Sequence, residues 1–189
     1  MPIRAVILVF LLAILSVWQE ARAQKGQQDL NLSYGFASTP VMVHAVWDIF
    51  TGKTKLNVLG PAGIEYNYHL SERVILGFAG SYTRISSRNP SSGDLHYRSS
   101  YYAAMPQVLF YLGKKDKLEV YSGLSLGVAY HDHLPADERA AYGDVIPAFQ
   151  LTGLGLRSNK RNSLFAELGF GYKGWLNVGL SHRLREVKK

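Results

Sequence analysis

The sequence predicts an all-β fold, an eight-stranded antiparallel up-and-down transmembrane β-barrel with a short helix in its first extracellular loop. Three observations carry this expectation. From Asp29 onward, apolar residues recur at every second position through eight successive segments. The connections alternate between short and long, as in membrane barrels, which have short turns at one end and longer loops at the other. The minority face of the segments is mostly Gly, Ser, Ala, Asn and Thr, small residues that fit the narrow interior of an eight-stranded barrel.

Met1–Ala23 has the three regions of a secretory leader. Arg4 supplies the positive start, Ala5–Trp18 is apolar apart from Ser16, and Ala21-Arg22-Ala23 is a small-x-small cleavage site. The barrel domain is then expected to span 24–189. A spanning helix needs about 20 apolar residues, and no later run reaches that length.

In the first strand Leu30, Leu32, Tyr34 and Phe36 alternate with Asn31, Ser33 and Gly35. The loop that follows, Ser38–Gly60, starts with a helix signal. Thr39 can cap it, Pro40 suits its first position and Gly52 can stop it. Met42, Ala45, Val46, Ile49 and Phe50 then share helical spacing as an apolar stripe. Ile64, Tyr66, Tyr68 and Leu70 mark the second strand, and Leu76, Phe78 and Tyr82 the third. Ala104, Pro106, Val108, Phe110 and Leu112 mark the fourth, and Leu118, Val120, Leu124, Leu126, Val128 and Tyr130 the fifth. The sixth, Val145–Leu156, changes apolar parity around Gly153. Ala166, Leu168, Phe170 and Tyr172 mark the seventh, and Leu176, Val178, Leu180, His182 and Leu184 the last. Ser71–Arg73, Gly113–Lys117 and Ser158–Asn162 are the short connections; Ile85–Arg98 and His131–Asp144 are long like the first. The fourth outer connection, around Lys173-Gly174, is unusually short.

Composition narrows the reading further. A chain of 189 residues suits one domain. The absence of cysteine excludes disulfides, thiolate metal sites and a cysteine nucleophile. Hydrophobic content of 47% against 19% charge excludes a disordered chain. The formal charge of +7 raises nucleic acid as a partner. Its excess falls on the short-turn side, at Lys114, Lys115, Lys117, Lys160, Arg161 and Lys188, so no nucleic-acid partner is expected. A soluble ligand-binding barrel would carry Lys, Glu and Asp on its outer face, and the minority face here does not.

Leu118–Gly127 (LEVYSGLSLG) and Phe165–Leu184 (FAELGFGYKGWLNVGLSHRL) give the chain its family likeness. It resembles the small eight-stranded outer-membrane β-barrel proteins of Gram-negative bacteria, over essentially all of 24–189. The resemblance implies outer-membrane residence, periplasmic passage as an unfolded precursor and handling by the barrel-insertion machinery. Such proteins commonly end on an aromatic residue, whereas here Leu184 is followed by Arg185-Glu186-Val187-Lys188-Lys189.

Four groups of residues are candidates for function. The inward charges Glu65, Glu119, Glu167 and Arg183, with His69, are expected to pair as a network plugging the lumen, because an unpaired buried ion is costly. A small ion pathway is the alternative. Tyr66, Tyr68, Tyr82, Tyr130, Tyr172 and Trp175 are expected as interfacial aromatics against outer-membrane lipids. Trp47 and Phe50 offer contacts to an extracellular protein or surface ligand. His131-Asp132-His133, with Asp137 and Glu138, is metal-capable by residue type, but H-x-H on a loop without a fixed fourth ligand is a weak signal, and no metal is expected.

Nothing in the sequence specifies catalysis or a cofactor. Ser181 and His182 are adjacent on a strand, so they point to opposite faces. Gly123–Gly127 (GLSLG) has the letters of a nucleophile elbow, but its Ser125 lies mid-strand. The expected function is therefore a monomeric, non-catalytic outer-membrane barrel with a surface interaction, adhesion or envelope-integrity role. The alternatives are an outer-membrane enzyme modifying lipid A or phospholipid through a dyad assembled across strands, and a soluble periplasmic ligand-binding barrel.

Overall fold

The computed structural model describes residues 26–51, 55–88, 94–115, 117–135 and 142–185. The expected leader Met1–Ala23, the helix stop Gly52, the loop acids Asp137 and Glu138, and Glu186–Lys189 lie outside the described residues. The elements are β1 (Gln28–Phe36), α1 (Thr39–Thr51), β2 (Lys55–His69), β3 (Val74–Arg88), β4 (Leu95–Lys115), β5 (Leu118–Pro135), β6 (Tyr142–Ser158), β7 (Asn162–Gly171) and β8 (Leu176–Arg185). Each strand pairs with the next, and β8 returns to β1, so the sheet is one closed antiparallel barrel without edges.

Period 2 decides which side chains fill the barrel. Leu32, Ile64, Leu76, Phe78, Phe110, Leu124, Leu126, Leu168 and Leu180 point outward and are exposed. Their neighbours Asn31, Glu65, Asn67, Ala79, Gln107, Ser125, Glu167 and Ser181 point inward and are buried. The fold is thus polar inside and apolar outside. The interior also holds side chains larger than the sequence suggested, among them Ile75, Ile85, Met105, Leu109, Tyr111 and Tyr121.

The start of β1, the end of β8 and the turns β2–β3, β4–β5 and β6–β7 share one end of the barrel, called here the turn end; α1 and the other connections share the loop end. Two of the expected loops are largely strand. β3 continues to Arg88 and β4 begins at Leu95, within the stretch expected as loop Ile85–Arg98. Likewise β5 continues to Pro135 and β6 begins at Tyr142, inside His131–Asp144, while β2 already begins at Lys55. The physical reason is that the outward positions there, such as Arg84, Ser86, Arg98, Ser100 and Asp132, are polar. The ladder continues where the hydrophobic alternation stops.

Two irregularities re-aim side chains. The β6–β7 register shifts between Thr152 and Leu154, so Gln150 and Thr152 face inward before the bulge, and Gly155 and Arg157 after it. At the end of β7, Gly171 has φ 143, and a Cβ there would collide with the Phe149 carbonyl oxygen. This twist turns Tyr172 into the barrel, where it is 6% exposed. Tyr172 therefore does not face outward as an interfacial aromatic, contrary to the sequence expectation. Helix α1 also starts one residue earlier than expected: the Ser38 carbonyl accepts the Met42 N–H at 3.0 Å, so Ser38 and not Thr39 holds the cap position.

Candidate functional site

The lumen is filled in layers. At the turn end Arg157, brought inward by the Gly153 bulge, donates from Nη1 to Asp29 Oδ2 at 2.8 Å and from Nε to Glu119 Oε2 at 2.8 Å. It also bonds the Tyr111 hydroxyl, which itself donates to Glu119 at 2.9 Å. His69 Nε2 lies 2.7 Å from Asp29 Oδ2, and the partly exposed Arg183 is 3.7 Å from Asp29 and 3.8 Å from Glu119. One guanidinium therefore joins two buried carboxylates from strands on opposite sides of the chain order.

A second layer lies above it. Lys173 comes from the short β7–β8 connection, yet it is buried, with Nζ bridging Glu65 and Glu167, the latter at 2.7 Å. Its backbone N–H donates to Gln150 Oε1 at 2.7 Å, which fixes the turn so that the side chain drops into the barrel. The other oxygens of Glu65 and Glu167 accept bonds from Asn31 at 3.1 Å and Tyr121 at 3.0 Å, and Asn177 donates at 3.2 Å to the Glu167 oxygen that also meets Lys173. Gln107 links this layer to Asn67 and Ser125. Higher still the filling becomes apolar, with Ala79, Ile85, Tyr101, Ala103, Met105, Ala129, Ala148 and Tyr172 in one cluster.

The structure thus brings Glu119 and His69 into one layer through Asp29 and Arg157, and Glu65 and Glu167 into another through Lys173. Asp29, Arg157 and Lys173 were missing from the sequence reading. Asp29 has the parity of Asn31 and Ser33, which is a usable signal. Arg157 lies beyond a parity change, and Lys173 lies in a connection whose shortness alone marked it.

The loop end holds a cluster of rings. His131 stacks on Tyr101 with centroids 4.4 Å apart and planes 2° from parallel, and His133 stacks on Tyr97 at 5.6 Å. Tyr142 leans on His133 at 5.0 Å. Burial holds both imidazoles below the ordinary histidine value, and for His131 the charge of His133 adds to it; Asp132 and, at His131, Asp144 oppose the shift. Among the described residues no three His, Asp or Glu side chains form a metal-binding group.

Helix α1 closes over this cluster. His44 sits 3.1 Å from the Tyr97 hydroxyl and 2.9 Å from that of Tyr101, and Val41 packs on the apolar cluster below. The exposed side of α1 carries Val43, Val46, Trp47 and Phe50, with Trp47 69% and Phe50 85% exposed. The apolar stripe read from the sequence is therefore divided: His44 and Val41 select the face that meets the barrel, and Val46 and Phe50 look away from it.

On the outer wall, Tyr82, Tyr102 and Tyr130 stand side by side in register across β3, β4 and β5. Tyr66, Tyr130 and Trp175 are exposed, and Tyr68 and Tyr82 half-buried, all on the outward face.

Ser99 Oγ lies 2.8 Å from His133 Nδ1 across β4 and β5, but Ser99 is fully buried and offers no face to a substrate. Ser125 is buried mid-strand and donates to Gln107 at 3.3 Å. Ser181 faces inward, and its neighbour His182 bonds Asn162 on the outer face at 2.6 Å.

No protein-family model matches the chain, and no curated protein sequence matches it. Among solved structures it is similar to Ail, the attachment invasion locus protein of Yersinia pestis, at 12% identity and a TM-score of 0.42, over 83% of this chain and 94% of that one. Ail in complex with the heparin analogue sucrose octasulfate gives a TM-score of 0.46 at 12% identity, over the same shares. The solution structure of E. coli outer membrane protein W gives a TM-score of 0.45 at 9% identity, over 86% of this chain and 100% of that one.

Proposed function

We propose that the chain is a non-catalytic outer-membrane β-barrel that presents α1 outside the cell as an attachment surface. The observation that carries this reading is the continuous outward band of Leu, Val, Phe, Tyr and Trp around a closed, polar-filled barrel. Soluble monomers rarely expose apolar patches above a few hundred Å², whereas a bilayer needs that surface on a closed sheet. Tyr66, Tyr68, Tyr82, Tyr130 and Trp175 then serve as interfacial anchors. The loop end faces outward, since membrane barrels keep their short turns in the periplasm.

A soluble ligand-binding barrel fits less well, because the lumen is occupied by paired side chains and the wall has no polar face to offer water. A hydrolase is disfavoured by the burial of Ser99. Attachment is favoured by the paired exposure of Trp47 and Phe50 one turn apart on the helix of the loop end, since exposed aromatics concentrate binding energy. Two measurements test the proposal. Purified protein should float with liposomes and migrate differently on gels before and after heating. The W47A/F50A variant should keep that heat-modifiable migration but lose cell-surface attachment by about tenfold or more; unchanged attachment removes the adhesive role.

A further inference from the structure

The outer face of β3 and β4 carries an arrangement that the barrel does not use. In step along the two strands, the outward residues are Phe78, Gly80 and Tyr82 on β3, and Pro106, Ala104 and Tyr102 on β4. Immediately above the paired tyrosines polarity reverses. Arg84 faces Ser100 across the ladder, and Ser86 faces Arg98, so the two arginines are diagonal neighbours on one face. No acidic residue occupies an outward position of β3 or β4 among the described residues. Asp132 lies in the same layer as Arg84, but one strand farther on, beyond Ser100.

Both arginines are half-buried, and Nε of each is buried without a hydrogen-bond partner. Leaving such a donor unsatisfied is costly, the more so for a charged group. Ser100 between them is buried although it faces outward, so long side chains lie over it. Arg84 does not extend toward the loop tips. Its Cζ lies over the Tyr82 ring, 5.6 Å from the centroid, and the head is therefore turned back toward the tyrosine row.

Position supplies the ligand chemistry. Tyrosines of such a row sit at headgroup level, and the headgroup layer adds about 5–8 Å beyond the hydrocarbon on each side. Arg84 is two residues above Tyr82, about 7 Å along the strand, and so lies in that layer. Two planar forks at diagonal positions of one face, each opposite a serine in the ladder, match the oxygens of a phosphate.

We propose that Arg84 and Arg98, with Ser100, bind the phosphate group of a lipid headgroup in the outward-facing leaflet. The proposal rests on the membrane reading above, and it adds a specific headgroup chemistry and a specific side of the barrel. The partner is a phosphate held in the membrane plane, since Arg84 is turned toward the bilayer and away from the aqueous loop tips.

The test uses the whole barrel in detergent, with native mass spectrometry after addition of dioleoyl phosphatidic acid, dioleoylglycerol or inorganic phosphate. The unaltered protein is expected to retain phosphatidic acid over dioleoylglycerol. R84Q/R98Q should lower that retention about tenfold, whereas R73Q/R161Q at the turn end should leave it unchanged. The single variants R84Q and R98Q, each expected to lower it about threefold, carry the comparison if the double variant fails to fold. Equal retention by all variants overturns the site. Displacement of the lipid by millimolar inorganic phosphate overturns its lipid source in favour of a soluble anion. Liposome flotation, scored separately, tells failure of the membrane reading from failure of this site.

Discussion

Arg157 shows what one residue contributes to an inside-out barrel. Its guanidinium faces two buried carboxylates, Asp29 and Glu119, and a tyrosine hydroxyl. Removing it leaves two anions without their main partner, and breaking a buried ion pair costs about 3–5 kcal/mol. R157M is therefore expected to lower the unfolding free energy by an amount in that range, read as a lower urea midpoint of detergent-solubilised protein. Lys173→Met should cost a similar amount by stranding Glu65 and Glu167. The triple variant E65Q/K173M/E167Q should recover most of the loss, because it removes the charges together. A triple variant no more stable than K173M would show that Lys173 matters through its turn rather than its charge. At this scale the sequence was half legible. Glu65, Glu119, Glu167 and Arg183 follow from parity alone, while Lys173, which meets both Glu65 and Glu167, comes from a tight turn and Arg157, which meets Glu119, from beyond a bulge.

At the scale of elements, the interest lies where strands outlast their apolar pattern. The loop-end stretches of β4 and β5 carry the stacked pairs Tyr101–His131 and Tyr97–His133, and α1 is held there through His44. Because burial lowers both His131 and His133 below 6.5, the folded loop end binds fewer protons than the opened one as pH falls. Its stability is complete above about pH 6.5 and declines as pH drops from there toward the lowered values. The protection factors of the loop-end amides of β4, β5 and α1, each taken relative to intrinsic exchange at the same pH, should therefore fall between pH 8 and pH 5.5. H131Q/H133Q should flatten that dependence, and an unaltered slope would place the titrating group elsewhere. The helix itself was legible from Pro40 and its spacing, but its orientation was not. Both faces of α1 contain apolar residues, and only the tyrosine hydroxyls of β4 decide that His44 turns inward.

The whole molecule is a closed barrel filled by ion pairs, apolar side chains and a helical cap. No passage follows from such packing, since eight strands leave an interior just wide enough for side chains. Planar bilayers containing the protein are expected to show no stable single-channel conductance; stepwise, long-lived openings would contradict the filled lumen. Strand number, order and most of the inward and outward faces could be read from the sequence, because every crossing segment but the sixth keeps one alternation throughout. The height of the walls could not, because hydrogen-bonded ladders need no hydrophobic residues once both faces meet water.

That unequal height gives the outer rim a direction. β4, β5 and β6 have 21, 18 and 17 residues, whereas β1, β7 and β8 have 9, 10 and 10. At about 3.3 Å per residue the tall side rises roughly 25 Å farther along its strands than the low side. Helix α1 leaves from the low side and leans on the tall one through Tyr97 and Tyr101. In the membrane placement proposed above, a body diffusing laterally would meet a screen from one quarter and an open threshold from the other, and encounters would be biased toward the arc formed by β7, β8 and β1.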